Sequence, residues 1–177
     1  MVFSGSSNEG LAREVANILG TNIGGVEREI FADSEIYIHF TESVRGADCF
    51  VIQSHVAPIN YHIVEQLIMI DALNRASAKR ITVVVPLFGY SRQDKKHRGR
   101  EPITARLMAD LFAAAGADRL MSVDLHTSQI QGFFDIPVDH LYAAPVLIEA
   151  IRRKNLEKLV LVSPDAGGVE RARAFAK

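Results

Sequence analysis

The chain has 177 residues, is 48% hydrophobic and 23% charged, and carries a formal net charge of -1 at pH 7. That size and balance describe one globular domain, or one with part of another, long enough to bury a core. Near-neutrality argues against a general nucleic-acid or membrane-surface binder, because those roles call for a basic excess over a whole domain.

The only cysteine, Cys49, excludes an intramolecular disulfide and a thiolate metal cluster. Its apolar setting, CFVIQ, predicts a buried, reduced thiol in a cytoplasmic protein. No apolar run approaches the roughly 18 residues of a membrane span, and no targeting signal is read at the N-terminus.

In chain order, the short opening VFSG precedes NEGLAREVANILG, which predicts a helix with Leu11, Val15 and Ile18 on one face, Asn8 as N-cap and Gly20 as the stop. EIYIHF (35–40) alternates like a strand with one wet face. CFVIQS (49–54) and ITVVVP (81–86) are continuous apolar strands, the pattern of a sheet covered on both sides. Between them YHIVEQLIMIDALNRASA predicts a packed helix through Ile63, Leu67 and Ile70. TARLMADLFAAAG predicts a helix burying Leu107, Leu111 and Phe112 and stopping at Gly116, followed by the strand LMSVDL (120–125). A helix from near Pro145, a strand LVLV (159–162) and a helix opened by SPDAGG complete the series.

Alternating strands and helices imply a mostly parallel, doubly wound α/β sheet, whose ligands sit at the carboxyl ends of the strands. Three such ends carry chemically capable loops. GYSRQDKKHRGREP (89–102) holds five of the twenty Lys and Arg residues, among them Arg92, with Gln93 beside it; HTSQIQGFFD supplies His126; SPDAGG supplies Asp165, Gly167 and Gly168. Cations, an imidazole, a carboxylate and a glycine-rich turn opening a helix suit a polyphosphate with a divalent metal. A carboxylate suits Mg²⁺, while the imidazole would act through water or favour Mn²⁺. Taken singly, each has a structural reading: a solvated loop, a hydrogen-bonded histidine, a turn. No Walker A or GxGxxG pattern is present. Phe31 offers a face on which a base could stack.

FADSE (31–35), ESVRG (42–46), YSRQDKKHRGREPITA (90–105), VDLHTSQIQGFFDIPVDHLYAAP (123–145) and VSPDAGG (162–168) together resemble ribose-phosphate pyrophosphokinase over nearly the whole chain. The resemblance implies a phosphoribosyltransferase-like α/β fold. It also implies a Mg²⁺-dependent enzyme that passes the β,γ-diphosphoryl group of ATP to the 1-hydroxyl of ribose 5-phosphate and releases AMP. It places Arg92 and Gln93 on ATP and His126 and Asp165 at the metal. Phe31, Asp33 and Glu35 would lie on a loop that reaches a neighbouring subunit's adenine. Ser43 and Arg45, with Arg80 and Arg100, would form an allosteric anion site for phosphate or ADP, in hexamers built from dimers. The implied organisation is a first domain over 1–142 and the start of a second, duplicated domain over 143–177. The catalytic Lys and Arg loop and the ribose 5-phosphate loop of that second domain are expected beyond Lys177, so this chain is expected to catalyse little. The brief opening VFSG suggests a small trim at the N-terminus. The rival readings are a non-catalytic regulatory or assembly subunit, a phosphoribosyltransferase and a nucleic-acid-binding module. The near-zero charge opposes the last of these, and retention of Arg92, Gln93, His126 and Asp165 opposes the first.

Overall fold

The short apolar runs assemble into one sheet. In the computed structural model, which describes residues 1–176 apart from the side chains of Glu170, Arg171 and Ala176, five parallel strands lie in the order β1 (Val2–Ser4), β4 (Asp48–Ile52), β5 (Arg80–Val85), β6 (Arg119–Val123) and β7 (Val138–Leu141). A separate antiparallel hairpin joins β2 (Val26–Ile30) to β3 (Ile36–Phe40). Chain packing divides the protein into one unit spanning Met1–Leu141 and a second beginning at Tyr142.

Alternation along the strands sends side chains to opposite faces. Val2, Ile52 and Val84 meet α1 (Glu9–Ile18) through Ala12, with Leu11 and Val15 partly buried beside it. Phe3, Val51, Ile81, Val83 and Leu120 belong to the main core with α2 (Ile59–Arg75) and α3 (Thr104–Ala115). Both faces are thus covered, which is why β4 and β5 read as unbroken apolar runs. The strand order never reverses, so the ligand edge of this sheet is set by the strand ends rather than by a switch in winding.

Helix ends follow local chemistry. Asn8 accepts the Leu11 N–H, and Gly116 closes α3 in the left-handed region at φ 109°. A side chain at Gly116 would also meet Asn74 at 2.7 Å. The buried faces differ from expectation in two helices. α3 buries Ala105, Met108, Ala109 and Phe112, while Leu107 and Leu111 are exposed. α1 buries Ala12 and Ala16 and leaves Ile18 85% exposed. In both, alanines let the helix approach closely, and the larger residues two positions away turn outward. The predicted strand at Leu159–Val162 is irregular, with Val160 and Val162 exposed. A strand needs a paired neighbour, and the described residues of the second unit, which hold α4 (Ala144–Arg152) and α5 (Val169–Ala176), contain none.

The hairpin is fastened through one buried carboxylate. Glu65 of α2 is fully buried and accepts from Ser6 N, Ser6 Oγ and Gln53 Nε2. Arg28 of β2 places Nε 2.8 Å from Glu65 Oε1, an ion-pair contact without hydrogen-bond geometry, and also bonds Glu9 at 3.1 Å and the Ser4 carbonyl. Arg28→Met would leave Glu65 charged and uncompensated, at an expected cost of about 3 kcal/mol of unfolding free energy in urea. Adding Glu65→Gln to that variant should recover most of the loss. A single variant as stable as the wild type would contradict this role for the pair.

Candidate functional site

The two central strands of the site, β5 and β6, are parallel neighbours, so their carboxyl ends open on the same edge of the sheet. Beyond β5, Gly89 packs so closely that a Cβ there would lie 2.9 Å from Ile59 Cδ1 and 3.0 Å from His55 Cβ. Tyr90 then adopts the left-handed region at φ 59°, held by a hydrogen bond from its hydroxyl to Asn60 Oδ1. The Gln93 N–H closes a turn onto Tyr90 O at 2.9 Å. From the far side Thr104 Oγ1 donates to Gln93 Oε1, and the Ala105 N–H donates to Gln93 O at 3.1 Å. His55, Ile59, Leu87, Tyr90, Arg92 and Gln93 line a cleft of about 340 Å³ here.

The loop's charges are unevenly used. Asp94 accepts from Thr127 Oγ1 at 2.9 Å, and Glu101 takes the backbone N–H groups of His97 and Arg98 at 2.8 and 3.0 Å. Those two bonds hold the Glu101 carboxyl below the usual range. Arg92, Lys95, Lys96, Arg98 and Arg100 are exposed, and none takes part in an ion pair among the described residues. The loop therefore presents a cluster of cations whose nearest carboxylates are already occupied, a surface that favours a polyanion.

The second loop enters through Asp124, left-handed at φ 46°, whose N–H is bonded to Leu141 O. His140 Nε2 accepts the Leu125 N–H at 3.0 Å, and His126 follows exposed. Thr127 joins this loop to the cation loop through Asp94. The structure thus brings together Arg92, Gln93 and the loop bearing His126.

Other candidates of the first unit lie elsewhere. Phe31 is half-exposed at the β2–β3 tip and stacks on Tyr37 with centroids 6.2 Å apart. Asp33 Oδ1 accepts the Glu35 N–H at 3.1 Å, and Ser34 is left-handed at φ 76°, so this tip is a tight turn. Among the described residues the tip shares no hydrogen bond or ring contact with the cation loop. Ser43 and Arg45 line a separate cleft of about 390 Å³ with Ile38, His39 and Glu42. Arg80 and Arg100 do not line it: Arg80 pairs with Asp48 at 2.9 Å, and Arg100 stays in the cation loop at φ 68°. In the second unit, Asp165 caps a short 3₁₀ turn by accepting the Gly168 N–H at Oδ1, 3.0 Å away.

No group of three His, Cys, Asp or Glu side chains is gathered as a metal cage among the described residues. His126, exposed, and Asp165, with Oδ1 bonded and Oδ2 open, are donors of the kind that hold a cation jointly with substrate oxygens and water. Asp94, Thr127, His55 and Asn60 were not singled out from sequence. Their partners at the site, Thr127 for Asp94, Gly89 for His55 and Tyr90 for Asn60, lie 30 or more residues away, although His55 follows the apolar run of β4 closely enough to be flagged as a strand-end residue.

A parallel α/β sheet with a cluster of exposed cations and a histidine-bearing loop at the carboxyl ends of neighbouring strands defines an α/β domain with a polycationic strand edge. Residues 1–116 match the N-terminal domain of ribose phosphate pyrophosphokinase, and the chain belongs to that family. It is 62% identical over 170 residues to a ribose-phosphate pyrophosphokinase of Streptomyces avermitilis, covering 96% of this chain and 52% of that one. It is 55% identical over 175 residues to that of Bacillus subtilis, covering 99% and 55%. A crystal structure of phosphoribosylpyrophosphate synthetase from Mycobacterium smegmatis matches with a TM-score of 0.95 at 55% identity, over 99% of this chain and 59% of that one. The chain thus spans about half the length of the curated relatives it matches.

His55, which lines the cleft, has its pKa lowered to about 4, chiefly by burial, with His62 adding to the shift and the Gln66 hydrogen bond opposing it. The unfolded chain protonates this residue near pH 6.5 and the folded chain only near pH 4. Stability is therefore complete above pH 6.5 and should fall by about 3 kcal/mol as the pH drops to 4. Denaturation of the wild type against His55→Asn across that window reads the difference; parallel curves would contradict it.

Proposed function

We propose that the protein transfers the β,γ-diphosphoryl group of ATP to the 1-hydroxyl of ribose 5-phosphate, giving 5-phosphoribosyl 1-pyrophosphate and AMP, and that this chain supplies the ATP site. The observation that carries the reading is the cation loop, whose five cations make no ion pair among the described residues while Asp94 accepts from Thr127 and Glu101 from backbone N–H groups of the loop itself. Arg92 contacts the triphosphate by a planar bidentate fork, and Lys95 and Lys96 add point charge. Gln93, clamped by Thr104 and the Ala105 N–H, is held to bind the nucleotide in one orientation. Such a cradle lowers the charge that an incoming hydroxyl must approach and keeps the β-phosphorus in line with the departing AMP oxygen. Mg²⁺, or Mn²⁺ in its place, would neutralise phosphate charge, and His126 of the first unit and Asp165 of the second are each a side chain able to offer it a ligand.

The exposed ring of Phe31, without a partner from the cation loop, supports its use on the adenine of a second copy, with Asp33 and Glu35 near the base. With this use of Phe31 goes assembly into homo-oligomers, read here as hexamers built from dimers. The cleft of Ser43 and Arg45 is proposed to receive phosphate or ADP as an effector. Residues 1–142 are read as the first domain and 143–177 as part of a second. The enzyme works in the cytoplasm, in nucleotide biosynthesis.

Arg92→Ala should weaken ATP binding about 10-fold or more, the loss of one charge-assisted bidentate contact. Phe31→Ala should weaken it in the oligomer and have little effect on a monomer. Equal affinity of wild type, Arg92→Ala and Phe31→Ala, measured calorimetrically, would overturn the nucleotide site. AMP released equally with and without ribose 5-phosphate would overturn the acceptor.

A further inference from the structure

We propose that His55 is a positioning residue for the nucleotide loop: its ring Nδ1 fixes the Gly89 amide and thereby sets the turn that presents Arg92 and Gln93. The inference rests on the reading of that loop as the ATP site. His55 grips the start of the loop twice. Its backbone N–H donates to Leu87 O at 3.0 Å, and its Nδ1 accepts the Gly89 N–H at 3.0 Å in a buried bond. The ring is itself held from behind. Nε2 carries the proton and donates to Gln66 Oε1 at 2.9 Å, while Gln66 Nε2 donates to Val51 O at 3.2 Å. The imidazole lies parallel to Phe112, with centroids 5.6 Å apart and planes at 3°.

This arrangement solves a specific problem. The Gly89 N–H is buried just beyond the end of β5 and needs an acceptor, since an unsatisfied buried amide costs about 1–3 kcal/mol. Any rotation of the ring releases Gly89. Tyr90, next in the chain, is already in the left-handed region, so loss of the Gly89 anchor lets that residue relax and moves the turn closed by Gln93 N–H on Tyr90 O. His55 itself need not touch the nucleotide to govern its affinity.

Two substitutions separate anchoring from packing. His55→Asn keeps an acceptor where Nδ1 stands and loses the reach to Gln66. His55→Gln keeps a donor toward Gln66 and loses the acceptor for Gly89. Both give up the ring. Compared at equal folded fraction, His55→Gln should bind ATP about 10-fold more weakly than His55→Asn, and its Gly89 amide should exchange with solvent at least 10-fold faster. In the wild type, Gly89 should exchange at least 100-fold more slowly than Lys95 or Lys96, a readout that stands even if both variants fail to fold. Equal Gly89 exchange and equal ATP affinity in the two variants, or a wild-type Gly89 that exchanges as fast as Lys95, would overturn the proposal. A faster Gly89 in His55→Gln with no ATP binding by any form would keep the anchor and refute only the ATP reading.

Discussion

The fully buried carboxylate of Glu65 is the constraint around which the first unit is arranged. A charge at that depth is tolerable only if every lone pair is answered, and here the answers come from the loop after β1, from the end of β4 and from Arg28 on the hairpin. The next residue of the same helix, Gln66, orients His55, which holds the root of the cation loop. Two consecutive side chains of α2 therefore control two distant features, the hairpin that carries Phe31 and the turn that carries Arg92. Helix α2 shares the core with both faces of this arrangement, so neither loop can shift without disturbing a buried polar contact.

Two left-handed residues sit in the loops at the strand edge that carries the cation cluster. Tyr90 and Asp124, both non-glycine, mark the points at which β5 and β6 give way to their loops. Such conformations cost on the order of 1 kcal/mol each and persist where the surroundings fix them. Tyr90 is fixed by Asn60, Asp124 by its N–H on Leu141 O, and the two loops by the bond between Thr127 and Asp94. The site is thus pre-set in its backbone, while the cations it presents remain open to a ligand.

Much of this was legible in the sequence because it is local. Continuous apolar runs mark β4 and β5, the strand after Gly116 marks β6, and cap chemistry marks the ends of α1 and α3. Strand β2, VEREI, escaped because only Val26 and Ile30 are apolar and its partner β3 lies across a turn. β7, VDHL, escaped because four residues with two polar ones carry no period. The exposed Leu107, Leu111 and Ile18 fall at the helical spacing of a buried face, whereas the alanines beside them decide how closely the helices pack. At the site, the cation run and His126 stand out by composition. The partners that hold them, Asp94 with Thr127 and His55 with Gly89, are joined only in three dimensions, and no spacing rule reveals them.

The central claim is that this strand edge recognises the phosphates of a nucleotide. Affinity for ATP against AMP, measured on the same protein at fixed ionic strength, tests it most directly. The account predicts that ATP binds on the order of 100-fold more tightly, two or more charge-assisted phosphate contacts apart, and that added salt narrows the gap. Equal affinities for the two nucleotides would contradict it, since the unpaired cations would then contribute nothing to recognition.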